Sequence, residues 1–104
     1  MDHFFEQYSY TDLAKALAPF NPRLAAQIGG IAFERMVREV AAVFGENYVD
    51  KDLKTLIDDL RSDRAIDDLT NGQWHKARRV RNKAIHGKSD PTPNELYSLL
   101  NLLT

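Results

Sequence analysis

Apolar residues along this chain recur at three- and four-residue spacings, and no alternating β-branched run appears, so the pattern predicts helices and no sheet. Pro19, Asn21-Pro22, Gly45, Asn71-Gly72, Gly87 and Pro91-Thr92-Pro93 punctuate the pattern and leave stretches long enough for helices between them. The first stretch lies within Asp2 to Ala18, with a break expected near Ser9-Tyr10 and a restart at Thr11. Asn21 and Pro22 read as an N-cap followed by Pro at the first helical position, opening a long helix to about Phe44. Its main stripe is Ala26, Gly29, Phe33, Met36, Val37, Val40 and Phe44. A smaller strip of Leu24, Ile28 and Ile31 serves either packing against the first helix or contact with a second copy. Each glycine of the mid-helix pair Gly29-Gly30 costs about 1 kcal/mol relative to Ala, so a close neighbour is expected there.

Asp50 is the expected cap of a third helix carrying Leu53, Leu56, Ile57 and Leu60, with its acids facing solvent. A short turn through Ile66 and Leu69 leads into a basic helix. Thr92, Pro93 and Glu95 form a capping box with Pro at N1, before a last stripe of Leu96, Leu99, Leu100 and Leu103. The expectation is an all-α fold, an antiparallel bundle of four to five helices spanning residues 1–104 as a single domain, complete in itself or one module of a longer protein.

Composition changes this picture little. The 104 residues are 43% hydrophobic and 28% charged, a globular balance, and the absence of Cys excludes disulfides and thiolate chemistry. No secretory signal or membrane-spanning run is read, so a cytoplasmic location is expected. Charge changes it more. The net charge is −1, yet Asp50, Asp52, Asp58, Asp59, Asp63, Asp67 and Asp68 gather in one segment, while His75 to Lys88 holds six Lys and Arg without an acid. Such segments suit each other across an oligomer, or the basic one suits an anion such as RNA.

On a helical projection from Trp74, the residues Trp74, Ala77, Val80, Ala84 and Ile85 share an apolar arc, while His75, Arg79, Asn82 and His86 fall within about 60° of one another on a second face. Arg81 breaks the pattern by projecting from the apolar arc. A buried lone charge is costly, so Arg81 requires either a carboxylate, Glu34 or Glu39, or a groove where a phosphate meets it. His86 closes the helix before Gly87, which is expected to end it in the left-handed conformation. His75 and His86 stand about 16 Å apart along the axis, too far to share a metal ion, and no metal or cofactor is expected.

Arg81-Asn82-Lys83-Ala84-Ile85-His86 resembles the signature of the HEPN domains (higher eukaryotes and prokaryotes nucleotide-binding): an Arg, a polar residue, and a His after four to six intervening positions. The resemblance extends over most of the chain, through the FERMVREV, LKTLIDDL and RNKAIHG helices and the capping-box helix. It implies a metal-independent endoribonuclease whose site forms across the two-fold axis of a homodimer. Arg81, Asn82 and His86 would be catalytic, and Arg78, Arg79, Lys83 and Lys88 would hold flanking phosphates. It also implies a setting in toxin–antitoxin defence or RNA processing, with an antitoxin or a further domain as partner. A non-catalytic dimerisation module and a nucleotide- or phosphate-binding regulator stay open beside it.

Overall fold

A computed structural model describes residues 2–45, 48, 50–87 and 89–103, with side chains from residue 10 onward. Among them are five helices and no strand: α1 (Asp2–Leu17), α2 (Pro22–Phe44), α3 (Leu53–Ser62), α4 (Asp68–His86) and α5 (Pro93–Asn101). The principal extents are 39 × 33 × 21 Å, so the bundle is two helices thick. α2 is the central helix and packs against each of the other four, while α4 touches α2, α3 and α5. No described helix is long and apolar enough to cross a membrane.

Local chemistry sets most boundaries. Asn21 caps α2 by accepting from the Leu24 N–H at 3.1 Å, with Pro22 at N1. The capping box at α5 is complete: Thr92 accepts from the Glu95 N–H, and the Glu95 carboxylate accepts from the Thr92 N–H. α3 ends in a Schellman motif, in which the Ala65 N–H reaches Leu60 O and the Arg64 N–H reaches Arg61 O. This puts Arg64 at φ +62°, where glycine is the usual residue.

Four expectations about the elements need correction. α1 runs through Ser9-Tyr10 without a break. The cap of α3 is Asp52, which accepts from the Thr55 N–H, and not Asp50. Asn71-Gly72 does not interrupt α4, because Asp67 caps the helix upstream through the Thr70 N–H and starts it before the pair is reached. Gly87 is extended at φ −76°, ψ 159°, and not left-handed; a Cβ there would stand 2.1 Å from the Lys83 carbonyl oxygen, so glycine is needed for room.

The core is centred on Phe33, Val37, Leu56, Ile57, Leu60, Val80 and Leu99. Trp74 packs edge-on against Phe33 with ring centroids 6.5 Å apart. Ala14, Ala25, Ala26, Ala77 and Ala84, all fully buried, let helices approach closely. Gly29 serves the same end: a Cβ there would lie 3.1 Å from Leu100 and 3.7 Å from Ala14. Phe44 and Ile85, placed on core stripes by their spacing, are exposed instead, Ile85 at the edge of an open cleft between α2 and α4. In the Leu24, Ile28 and Ile31 strip only Ile28 joins the core; Leu24 and Ile31 face solvent.

Candidate functional site

α4 lies against a polar stripe of α2. Arg23, Gln27, Glu34 and Arg38 recur at core-like spacing, with Gly30 and Ile31 between them. At the end of this contact, Gln27 Nε2 donates to Ala84 O at 2.9 Å, and Arg23 donates from Nε to Ala84 O at 3.2 Å and from Nη2 to Gly87 O. Ala84 O, among the last carbonyls of α4, and Gly87 O in the cap therefore have partners on α2. The segment carrying His86 is fixed by these bonds.

One turn further along α2, Gly30 explains how Arg81 fits into an apolar arc. A Cβ at residue 30 would stand 2.7 Å from Cγ and 3.1 Å from Cβ of Arg81. The aliphatic stem of Arg81 thus lies directly on the α2 backbone, and the guanidinium extends past it to the cleft edge. There Nη2 donates to Glu34 Oε1 at 2.7 Å and Nη1 donates to Asn82 Oδ1 at 2.9 Å. Of the two candidate carboxylates, Glu34 is the partner of Arg81. Its other oxygen, Oε2, accepts from Arg38 Nε at 3.0 Å, and Arg38 also donates to Lys51 O at 3.1 Å.

These groups surround an open cleft of about 270 Å³ lined by Gln27, Ile31, Glu34, Arg35, Arg38, Arg81 and Ile85. Arg35 stands over the Tyr10 ring at 5.0 Å. The side chains of Arg81 and Glu34 keep 24% and 29% of their surface in solvent, so the pair stays within reach of a ligand.

The sequence-predicted residues divide into two groups. Arg81 and Asn82 are joined by a hydrogen bond, and His86 lies on the Asn82 side of α4, exposed and without a hydrogen bond or ion pair among the described residues. Because its carbonyl faces the guanidinium, Asn82 keeps only its –NH2 to donate elsewhere. Within one chain the His86 and Arg81 side chains leave α4 about 140° apart, so the chain does not bring them onto one reacting atom.

The expected phosphate-binding set is dispersed. Arg78 Nε donates to His75 Nδ1 at 3.2 Å, which leaves the His75 proton on Nε2 to be donated to Asp58 at 2.7 Å. Arg78 and His75 thereby tie α4 to the acidic helix through Asp58, which stays exposed to solvent. Lys83 pairs with Glu95 of α5 at 3.0 Å, and Arg79 is exposed. Lys88 lies outside the described residues. The Glu95 carboxyl is held below the usual carboxylate range by the Thr92 N–H and then by Lys83. Among the described residues no group of three His, Asp or Glu is placed to hold a metal ion.

Arg23, Gln27, Arg35 and Arg38 escaped the sequence reading, while the Gly29-Gly30 pair pointed to a close neighbour without showing that Arg81 is the one at Gly30. Together with Arg81, Asn82 and His86 they define a small helical-bundle domain with a basic, carboxylate-centred cleft between its longest helix and its penultimate one. The chain belongs to the family described as domain of unknown function DUF4145, whose model matches residues 13–104. No curated protein and no solved structure matches it.

Proposed function

We propose that this chain is a HEPN-type domain that cleaves RNA as a homodimer without a metal ion. The observation that supports it is the hydrogen-bonded row Glu34, Arg81 and Asn82 at the edge of an open cleft, with an exposed, unpaired His86 one turn beyond. Arg81 and His86 diverge within one chain, so a second copy is required to bring an imidazole opposite each guanidinium. The half-exposed Ile31 and Ile85, beside the cleft, provide apolar surface for that contact. In the reaction, one His86 removes the proton from a ribose 2′-hydroxyl, whose oxygen attacks the adjacent phosphorus. The bond to the 5′-oxygen breaks, and the partner's His86 protonates that oxygen, leaving a 2′,3′-cyclic phosphate and a 5′-hydroxyl. Arg81 stabilises the charge gathering on the phosphorane oxygens, and Asn82 orients the phosphate with its –NH2.

Purified protein incubated with structured RNA in EDTA tests this. Cleavage is expected to disappear in His86→Ala and Arg81→Ala, with thermal melting showing that both variants fold. If both cleave like the parent, the assignment is wrong.

The Glu34–Arg81 pair supports a second reading, a non-catalytic helical dimerisation module in which Arg81 is a structural ion pair. On that reading the parent cleaves no RNA, and Arg81→Ala loses about 1–3 kcal/mol of stability because Asn82 and Glu34 lose a partner. His86→Ala leaves melting unchanged.

A further inference from the structure

We infer that RNA is held in the cleft between α2 and α4, its phosphates meeting Arg38 and Arg81 with Arg35 beside them, and Glu34 as the counter-ion that Arg38 and Arg81 give up when a phosphate arrives. This rests on the RNA-cleaving reading and supplies the binding residues that the basic face of α4 does not. On α4, Arg78 is turned to His75 and Lys83 to Glu95, so that face offers dispersed charge. The cleft between α2 and α4 offers the opposite. Arg35, Arg38 and Arg81 line it together with Glu34, which accepts from Arg38 and Arg81, in a space of about 270 Å³.

The two arginines on Glu34 do not depend on it for their positions. Arg38 is also anchored by its donation to Lys51 O, and the stem of Arg81 is seated on Gly30 and its head on Asn82. Removing the carboxylate therefore leaves both guanidiniums converging on the place it occupied. A phosphate presents the same pairs of oxygens to a guanidinium as a carboxylate does, and carries its charge there with a third oxygen to spare. Glu34 is partly solvated, as is Arg38 with 38% of its side chain exposed, so the exchange of one anion for another takes place in contact with water.

The experiment is fluorescence anisotropy with a labelled 2′-O-methyl oligouridylate, which binds but lacks the hydroxyl needed for cleavage, titrated over a range of salt. Arg38→Gln and Arg35→Gln are each expected to weaken binding about tenfold and to reduce the salt slope by about 0.7. Arg38→Lys, which keeps the charge, is expected to keep the slope. Glu34→Gln is expected to tighten binding several-fold, a result that a purely structural Glu34 would not give. Arg79→Gln and Lys76→Gln are expected to change affinity less than about twofold. Melting of every variant runs in parallel, and Arg38→Lys and Glu34→Gln carry the test if a charge-removing variant fails to fold.

Loss of affinity in Arg79→Gln and Lys76→Gln with none in the Arg35 and Arg38 variants would overturn the inference, as would displacement of the oligonucleotide by a glutamate-rich peptide at lower charge concentration. A parent that cleaves RNA while its α2 variants bind normally overturns this inference alone. A parent that binds through α2 and cleaves nothing overturns the ribonuclease reading alone, and a parent that binds no RNA overturns both.

Discussion

Arg81 and Gly30 are one feature seen from two helices. An arginine in an apolar arc is tolerable only if its stem has apolar cover and its head reaches a polar edge, and Gly30 supplies the space for the stem. Gly30→Ala improves helix propensity by about 1 kcal/mol, yet the added methyl overlaps Cγ of Arg81, a contact costing about 1–3 kcal/mol. The expected outcome is a protein no more stable than the parent, with Arg81 displaced. Gly72, also within a helix, meets nothing within 4 Å, and Gly72→Ala is expected to raise stability by about 1 kcal/mol. Urea melts of the two variants check the contrast; equal stabilisation would mean that Gly30 carries no load. The sequence made the anomaly at Arg81 and the glycine pair visible separately. It could not join them, since their contact depends on the crossing of two helices that no periodicity encodes.

At the scale of the element, capping chemistry was the most legible feature and apolar spacing the next. Asn21-Pro22 and the Thr92 box open α2 and α5 where their residues require. Asp50 and Asp52 both precede the same stripe, and only the bond from the Thr55 N–H marks Asp52 as the cap. The polar stripe of Arg23, Gln27, Glu34 and Arg38 was invisible as a contact surface because polar residues on a helix usually face water. The caps also predict the acid response. The carboxyls of Asp52 and Asp67 sit below the usual range because each accepts hydrogen bonds at its helix start, from Thr55 and from Thr70, and Glu95 is lowered as well. A depressed carboxyl contributes its full stability above the unfolded-state pKa and loses it as pH falls through the folded value. The urea midpoint is therefore expected to stay level from neutrality to about pH 5 and to fall below that. Asp67→Asn, which keeps an acceptor without the titration, is expected to make the fall shallower.

For the whole molecule, the dimer is the element of the proposal most open to direct measurement. Light scattering at micromolar concentration is expected to give twice the chain mass, and Ile31→Asp to give a folded monomer that melts below the parent by what association contributed, because Ile31 is 45% exposed in the single chain. A monomeric parent would remove the composite site. The central position of α2 carries a further consequence, for synthesis of the chain. Of its packing partners only α1 precedes α2 from the ribosome, while Phe33 waits for Trp74 of α4, and Gly29 waits for Leu99 and Leu100 of α5. The nascent chain therefore carries an unshielded apolar stripe until α4 and α5 are made, a binding surface for chaperones, and the core closes only when α5 emerges.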